Sequence, residues 1–274
     1  FSESGFKFDM GPSWYWMPEI FERYFNNFGY SASDFYELKK LDPSFKIFFG
    51  KNDVLDIPAE FDDLVELFEQ TEKGAGDSLK RFMKEAEFKY NISMQDLIFK
   101  PGLSIFELIS PKIFKGVFKL QLLQSFHKHV RKYFTHPKLI ALMEFPVLFL
   151  GSIPKSTPAL YSLMNYAGLN LGTWYPMGGF VKVIDGMREV AEGFGVKVHT
   201  SEPVTKLVTE NNNISSVVTK SNIMDVDAVI GSADYHHIEN SLLDIGLQSY
   251  SKDYWDSRSM SPSCLIFYIG VNKK

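Results

Sequence analysis

Two side chains on one apolar segment have the chemistry to move protons. In the segment THPKLIALMEF, Glu144 lies among apolar residues and His136 stands near the start. Burial in such surroundings disfavours the charged carboxylate and would raise the pKa of Glu144. Buried ionisable groups are often structural rather than catalytic. Glu144 and His136 are therefore candidate general acid–base residues, with a structural role as the alternative for each.

Glycine-rich segments raise the question of a bound cofactor. A dinucleotide site needs a strand, then G-x-G-x-x-G, then a helix, so that backbone amides can meet a pyrophosphate. The near match GAGDSL at Gly74 follows a predicted helix and has Leu79 in the third glycine position, which favours a turn between helices. In YPMGGF, Gly178 and Gly179 precede a predicted helix and would let the backbone approach a ligand with free amides. A simple helix-start turn is the alternative.

Metal, disulfide and nucleic-acid chemistry are not indicated by the composition. The single cysteine, Cys264, excludes an internal disulfide and suits a reducing compartment. The histidine pairs His127/His129 and His236/His237 lack companions at zinc-site intervals. With 29 basic and 33 acidic residues the net charge is -4, which does not suggest nucleic acid as a partner.

Aromatic residues are unusually frequent in this chain of 274 residues. There are 25 Phe, 13 Tyr and 4 Trp, although the mean hydropathy is only -0.10. The longest apolar stretch, residues 139–151, is interrupted by Glu144 and Pro146 and is shorter than the roughly 20 residues that cross a bilayer. The composition therefore predicts either a Phe-rich core or a cavity for a large apolar ligand.

The first half of the chain predicts one helix, a small sheet and then a helical block. MPEIFERYFNNFG has Pro18 and Gly29 at positions that suit a helix start and stop. Three short segments predict one small antiparallel sheet: YELKKL, SFKIFFG and DVLDIP. Helices are predicted on both sides of Gly74, across residues 104–133, and from the Thr-x-Pro at Thr135 and the Thr-Pro at Thr157 onward. The predicted caps are Asp77 or Ser78 for the second of these helices, Thr135, and Thr157.

The second half predicts mostly strands. GTWYP is a predicted strand, and MGGFVKVIDGMREVAEGFG a glycine turn that feeds a helix. The further predicted strands are VKVHT, PVTKLVTE, ISSVVTK and DVDAVIGSAD, with a turn at 211–213, and YHHIENSLL is a helix. Residues 264–271 predict a buried strand. Because apolar strands lie at both ends, we expect the chain to be the central part of a longer protein.

Six segments, in order across nearly the whole chain, resemble the bacterial-type phytoene desaturases, FAD-dependent carotenoid oxidoreductases related to the amine oxidases. They are GFKFDMGPS, FPVLFLGSIPKSTPALYSLMNY, GTWYPMGGF, VKVHTSEPVTKLV, DAVIGSADYHHIENSLL and SMSPSCLIFYIGVNK. The resemblance implies an α/β (α+β) fold of amine-oxidase-like flavoprotein architecture: part of an FAD-binding domain, and an antiparallel-sheet substrate domain with a helical lobe. It also implies that the dinucleotide module and a second FAD segment lie outside this chain.

The resemblance implies desaturation of a C40 polyene, phytoene, toward lycopene. A hydride would pass from an allylic carbon to FAD while a neighbouring proton is lost, and quinone or oxygen would accept the electrons. The cofactor-proximal residues implied are Gly11, Pro12, Ser13, Gly178, Gly179 and Val204, and Asp234 matches an Ala-Asp after a strand. The implied tunnel lining is Trp14, Tyr15, Trp16, Phe145, Phe149, Leu150, Tyr161, Met164 and Trp174, although core packing explains each one individually.

A basic amphipathic helix is predicted over residues 114–134. Its apolar residues include Phe118, Leu122 and Phe126, and its cations include Lys128 and Arg131. Such a helix can lie on an anionic membrane surface, although many such helices simply have a solvated face. With a lipid-soluble substrate implied, we expect a cytoplasmic enzyme that is peripherally attached to a membrane.

The functional division expected is 1–35 as an FAD-proximal turn and helix, 36–175 as the substrate region with its membrane-facing lobe, and 176–274 as the remaining strands of both domains. Two alternatives stay open. One is a related oxidoreductase acting on a later carotenoid, such as a hydroxycarotenoid desaturase, a ketolase-like oxidase or an isomerase. The other is a non-catalytic fragment that binds an apolar ligand.

Overall fold

A computed structural model describes residues 1–11, 13–100, 103–104, 120–259 and 263–272. The chain forms two compact units, Phe1–Val190 with Pro262–Lys274, and Ala191–Ser261. The functional division at residues 35 and 175 stays a prediction. Within the ranges described, no helix is both long and apolar enough to cross a membrane.

Among the residues that the structure describes, the first unit contains six short strands and seven helices. The strands are β1 (Ser2–Glu3), β2 (Phe6–Lys7), β3 (Leu38–Lys40), β4 (Phe45–Gly50), β5 (Asp53–Ile57) and β6 (Trp174–Pro176). The helices are α1 (Pro18–Asn26), α2 (Phe61–Thr71), α3 (Ala75–Ile92), α4 (Phe126–Val130), α5 (Pro137–Glu144), α6 (Leu163–Asn165) and α7 (Val181–Gly193), the last of which runs into the second unit. A π-turn (Ser93–Leu97) follows α3, and another (Tyr166–Asn170) follows α6. Three 3-10 turns lie at Ala32–Asp34, Phe145–Leu150 and Ala159–Ser162.

The prediction of one small sheet is wrong in its pairing. Strands β4 and β5 form an antiparallel hairpin in which Phe45 faces Ile57. Strand β3 pairs instead with β6, so that Lys40 faces Trp174. Strand propensity is local, whereas the choice of partner depends on which distant segment the rest of the fold brings alongside.

The three predicted helix caps are also wrong. Helix α3 begins after Gly74, which has a φ of +83°, and Asp77 and Ser78 lie within its first turn. The carboxylate of Glu69 in α2 accepts hydrogen bonds from the amides of Gly74 and Gly76 and replaces the expected cap. These backbone hydrogen bonds lower the pKa of Glu69.

At α5 the cap is His136 rather than Thr135. The Nδ1 atom of His136 accepts a hydrogen bond from the amide of Lys138 at 3.3 Å. Thr135 instead donates its amide and hydroxyl to the Glu72 carboxylate, as does the amide of His136. The predicted start at Thr157 is a 3-10 turn, Ala159–Ser162, in which the hydroxyl of Thr157 donates to the Ile153 carbonyl.

A buried lysine ties α3 to the 3-10 turn at Ala159–Ser162. The Lys89 ammonium is fully buried and donates to Gln121 Oε1, the Ala159 carbonyl oxygen and Ser162 Oγ at 2.9 to 3.0 Å. Burial lowers the pKa of Lys89 to about 8. The core around it draws on α2 to α5, with Phe68, Phe82 and Phe126 fully buried.

The predicted amphipathic helix over 114–134 is shorter where it is described, and residues 114–119 lie outside the described residues. Residues 126–130 form α4, which the hydroxyl of Ser125 caps. Phe126 and Val130 are buried in the core of the lobe, whereas Leu123 is fully exposed in the preceding turn. The apolar face of α4 is therefore covered by protein.

The second unit is built on a three-stranded antiparallel sheet of β7 (Val204–Glu210), β8 (Asn213–Thr219) and β9 (Ile223–Asp225). Asn211 and Asn212 make the predicted turn with positive φ angles. Its core holds Leu207, Val217 and Leu242. Two further helices are α8 (Tyr235–His237), which continues as a π-turn (Ile238–Leu242), and α9 (Lys252–Asp256).

Three predicted strands do not form. VKVHT lies outside the strands of the second unit, as does DVDAVIGSAD after Asp225, the last residue of β9. Residues 264–271 lie outside the strands of the first unit. Leu265 and Phe267 are mostly exposed, at 81% and 73%. An apolar run forms a buried strand only where a neighbouring strand accepts its backbone hydrogen bonds and another layer covers its side chains. Among the described residues, none pairs with these three segments in a sheet.

Candidate functional site

The site begins with the three consecutive aromatics Trp14, Tyr15 and Trp16. Tyr15 forms an isolated antiparallel bridge with Trp174, in which each amide donates to the other carbonyl at 3.0 Å. Side chains alternate along an extended segment, so neighbours point to opposite sides. Tyr15 is accordingly buried in one aromatic cluster, whereas its two neighbours line a cavity.

The cavity has a volume of about 480 Å³ and is mostly aromatic. It is lined by Gly11, Ser13, Trp14, Trp16, Phe145, Phe149 and Met164. The rings of Trp14 and Phe145 are 5.6 Å apart at 70°, and those of Trp16 and Phe149 are 5.5 Å apart at 85°. These edge-to-face contacts make the walls rigid and apolar. Five of the predicted tunnel residues, Met164 among them, therefore meet here.

A second cavity of about 440 Å³ adjoins the first and shares Trp14 and Phe145 with it. Its other lining residues come from the β4 strand and α5: Phe45, Lys46, Ile47, Phe48 and Ala141. The Phe45 ring stacks on Trp14 at 4.8 Å. Two adjoining apolar spaces with common ring walls suit an elongated apolar ligand better than a compact polar one.

The 3-10 turn Phe145–Leu150 supplies the opposite wall of the first cavity. It continues directly from α5, with Pro146 in its first turn and Gly151 in the left-handed region at its end. Pro146 and Val147 are buried against the lobe, so Phe145 and Phe149 are held at one side of the turn. Phe149 is 58% exposed, which gives the cavity an apolar border.

A third cavity, of about 320 Å³, lies at the glycine pair before α7. It is lined by Phe1, Ser2, Lys7, Phe8, Asp9, Tyr175, Gly178, Gly179 and Val181. Gly178 and Gly179 have φ angles of +94° and +97°, a conformation that favours glycine. An added Cβ on Gly179 would lie 2.8 Å from Asp9 Oδ1.

Asp9 occupies the start of α7. Its Oδ1 accepts the amide of Phe180 at 2.9 Å, and its Oδ2 accepts the hydroxyl of Tyr175 at 2.8 Å. The amide of Gly179 donates to the Pro176 carbonyl. The expectation of free amides at this helix start is therefore wrong for Gly179 and Phe180, because a carboxylate from the chain already meets the positive end of the helix. Burial, together with Asp9, raises the pKa of Tyr175.

The candidate acid–base residues lie at opposite ends of α5, about 12 Å apart along its axis. Glu144 contacts Arg131 through a close ion pair and lies 3.1 Å from Nδ1 of His127. His136 caps the other end of the helix. Neither residue is among those that line the three cavities, and their catalytic role stays a prediction.

The remaining predicted residues lie elsewhere. Trp174 packs against the buried cluster of Tyr15, Phe25 and Tyr36, called the closed cluster below. Tyr161 lies in the 3-10 turn Ala159–Ser162. Neither Trp174 nor Tyr161 lines the aromatic cavity. Val204 opens β7 in the second unit, opposite Thr219. Pro12 lies outside the described residues. In the part of the chain that is described, no group of three or more metal-ligating side chains occurs.

Comparison with known proteins decides the family. The model of the flavin containing amine oxidoreductases matches residues 1–269. The chain belongs to this family. It is 36% identical over 268 residues to a carotenoid 3,4-desaturase of Haloarcula japonica, covering 97% of this chain and 54% of that protein. It is 26% identical over 271 residues to a zeta-carotene-forming phytoene desaturase of Myxococcus xanthus, covering 98% and 52%.

A third relative is a 4,4'-diapophytoene desaturase (4,4'-diaponeurosporene-forming) of Staphylococcus haemolyticus, with 24% identity over 279 residues, 100% of this chain and 56% of that protein. The chain thus spans about half the length of the relatives it matches. Membership in the flavin containing amine oxidoreductases confirms the predicted fold class and identifies FAD as the family's cofactor.

That the glycine cavity holds part of a flavin stays a prediction. A Cβ on Gly179 would lie 2.8 Å from Asp9, and one on Gly178 would lie 3.2 Å from Lys182, while Lys7 supplies a cation beside apolar walls. Gly11, whose φ is +85°, has open space where a side chain would stand. Gly11, Gly178 and Gly179 are the described residues predicted to hold the cofactor, and a bound flavin would supply hydride acceptance.

Several functional residues were missed at the sequence level. Asp9 stands two residues before Gly11 in FKFDMGPS, and only this position beside the Gly-Pro turn could have indicated its role. Phe45 was assigned to a strand, which the structure confirms, but its stacking on Trp14 requires the tertiary fold. Thr173 and Gly168, which hold Trp16, have no motif of their own.

Proposed function

We propose that the protein is an FAD-dependent carotenoid desaturase that dehydrogenates phytoene or a partly desaturated carotenoid toward lycopene. One observation carries this proposal: rings from three distant segments, 14–16, 45–48 and 145–149, line adjoining apolar cavities beside the turn at Gly11 and Ser13. That turn also leads from Asp9, which lines the glycine cavity. The polyene and the flavin would thus meet at one turn.

In this proposal the protein's own residues bind the polyene, align it with the flavin and exclude water from it. The aromatic walls exclude water from the polyene and hold it by apolar contact, because a hydrocarbon offers no polar group to grip. Asp9 fixes the glycine pair relative to the turn through its two hydrogen bonds. Such positioning of two reactants is worth more than any single contact with the substrate.

Contact with a membrane surface belongs to the same proposal. A carotenoid dissolves in the bilayer, so an enzyme that takes it up benefits from an apolar border at its cavity. Phe48 and Phe149 line the two aromatic cavities and are mostly exposed. A peripheral, cytoplasmic-face location and a quinone or oxygen acceptor remain part of the proposal.

A second candidate is a reaction on a later carotenoid. The 36% identity to a carotenoid 3,4-desaturase exceeds the identities to the two other relatives named above. In this alternative the same cavity would hold a polyene that is already conjugated.

The test is pigment analysis of cells that make phytoene and express the protein from its full reading frame. We expect coloured products with longer conjugation if phytoene is the substrate. Cells fed lycopene instead would distinguish the second candidate. Unchanged pigments in both strains, with folded flavin-containing protein present, would overturn the proposal.

A matched pair of glycine variants ties the activity to the site. Gly179→Ala places a methyl group 2.8 Å from Asp9 in a strained conformation and should abolish pigment formation. Gly193→Ala, near the end of the same helix, meets nothing within 4 Å and should leave pigment formation unchanged. Equal activity of the two variants would contradict a role for the glycine pair.

A further inference from the structure

We propose that Trp16 is a specificity-determining residue. It limits how bulky the end of a polyene can be that enters the aromatic cavity lined by Trp14, Trp16 and Phe149. Gly168 and Thr173 hold the Trp16 ring in place. The inference rests on the proposed function, because it concerns the substrate of the same cavity. Trp16 is half-buried and forms one wall of the cavity.

The indole is fixed by a hydrogen bond at its polar edge. Its Nε1–H donates to Thr173 Oγ1 at 2.9 Å, and the Thr173 hydroxyl in turn lies 3.5 Å from the Gly168 carbonyl oxygen. Thr173 is fully buried, so water does not compete for this acceptor. A buried indole N–H needs a partner, and rotating the ring away would lose it.

The back of the indole lies directly on Gly168. An added Cβ at this position would stand 2.6 Å from Cζ2 of Trp16 and 2.9 Å from two other atoms of the ring. The φ of Gly168 lies outside the left-handed region, so its backbone conformation does not require glycine. What excludes a larger residue at 168 is the indole itself.

Two further rings limit where the indole of Trp16 can move. Phe149 meets Trp16 edge-on at 5.5 Å, and Trp14 lies at 5.7 Å, both as walls of the same cavity. A methyl group added behind the indole would therefore push it toward the space where the ligand lies. A smaller residue at 16 would instead enlarge that space.

A rigid wall of this kind rejects a ligand by steric clash rather than by loss of attraction. Lycopene and β-carotene have the same number of carbon atoms, but the ends of lycopene are open chains and those of β-carotene are rings. Trp16 should therefore favour lycopene, and its removal should admit the ring-ended molecule.

The experiment measures how much of each carotenoid, added in detergent micelles, elutes with the purified protein made from its full reading frame. We expect the wild type to retain lycopene in preference to β-carotene. Trp16→Ala should raise the ratio of bound β-carotene to bound lycopene by about tenfold, the discrimination that small changes in apolar pockets give. Gly168→Ala should lower the retention of lycopene, and Trp16→Phe combined with Gly168→Ala should restore it.

Gly186→Ala is the matched control. Gly186 also lies in a helix, and an added Cβ would stand 2.8 Å from Phe35 in the closed cluster. It should lower stability without changing the carotenoid ratio. Near-ultraviolet circular dichroism reports whether each variant is folded.

A wild type that retains lycopene, with an unchanged ratio in folded Trp16→Ala and no restoration in the double variant, would overturn the inference alone. A folded wild type that retains neither carotenoid would overturn the proposed function, and the inference with it.

Discussion

Consecutive residues build two aromatic clusters with opposite properties. The closed cluster contains Tyr15, Phe25, Phe35 and Tyr36, and its rings stack at 4.9 Å (Phe25 with Phe35) or meet edge-on. The open cluster contains Trp14, Trp16, Phe45, Phe145 and Phe149, and surrounds the two adjoining cavities. Both clusters are rich in rings, but Tyr15, Phe25 and Tyr36 are buried, whereas all five rings of the open cluster are at least partly exposed.

The difference shows that aromatic content alone does not decide between a core and a binding site. In the closed cluster the two tyrosine hydroxyls satisfy each other at 2.7 Å. In the open cluster the indole N–H of Trp16 is satisfied from behind, by Thr173, which leaves its apolar face toward the cavity. A cavity wall without an unsatisfied hydrogen-bonding group can contact an apolar ligand without a desolvation penalty.

The largest expected contrast is in stability when a ring is removed. Phe25→Ala should lower the free energy of unfolding by about 3–5 kcal/mol, because it empties a fully buried site. Phe149→Ala should cost less than about 1 kcal/mol, since that ring is 58% exposed. Urea unfolding of both variants measures this contrast, and equal losses would break the distinction between the clusters.

The hydroxyl pair of the closed cluster gives the next effect. Tyr15→Phe leaves the Tyr36 hydroxyl buried without its partner and should cost about 1–3 kcal/mol. Tyr15→Phe combined with Tyr36→Phe should cost less than the sum of the two single changes. A double-mutant cycle by urea unfolding gives the coupling, and simple additivity would mean that the pair is not coupled.

Alkaline pH should weaken the closed cluster. Burial and the partner hydroxyl raise the pKa of Tyr15, and burial raises that of Tyr36, above the usual value of 10.0. The unfolded state loses these protons first, so the stabilisation is complete below pH 10 and is lost as the pH rises further. The slope is about 1.4 kcal/mol per pH unit for each proton held.

Unfolding curves measured from pH 9 to 11 should therefore show a smaller decline for the double Phe variant than for the wild type. The wild type and the variant should agree in slope below pH 9. Identical slopes above pH 10 would show that the two hydroxyls do not titrate with folding. Burial also raises the pKa values of Tyr90, Tyr133, Tyr166 and Tyr175, which are unchanged in the variant and contribute to the decline that remains.

The smallest effect is expected at the polar border of the open cluster. Lys46 lines the second cavity and pairs with Asp56 at 3.0 Å, with both side chains about half exposed. Lys46→Ala should change stability by less than about 0.5 kcal/mol, since exposed ion pairs contribute little. A loss of more than about 1 kcal/mol in urea unfolding would place this border in the core instead.

Local features were predictable because they depend on neighbours in the sequence. Pro18 begins α1, and Gly178 and Gly179 form the turn before α7, as the residue types predict. Five of the tunnel residues implied by the resemblance do line one cavity. The starts of α3 and α5 were missed because carboxylates from elsewhere bind their amides. Glu69 in α2 accepts the amide of Gly74, and Glu72 just after α2 accepts the amide of His136.

By itself the sequence determined the start of α1, the turns at 178–179 and 211–212 and the aromatic segments, since these follow from backbone conformation and residue type within a few positions. Only the tertiary structure decided which rings enclose a cavity. It placed β3 against β6, sent Tyr15 to the closed cluster and set Gly168 behind Trp16. Those outcomes depend on contacts between residues far apart in the chain, and such contacts have no local pattern.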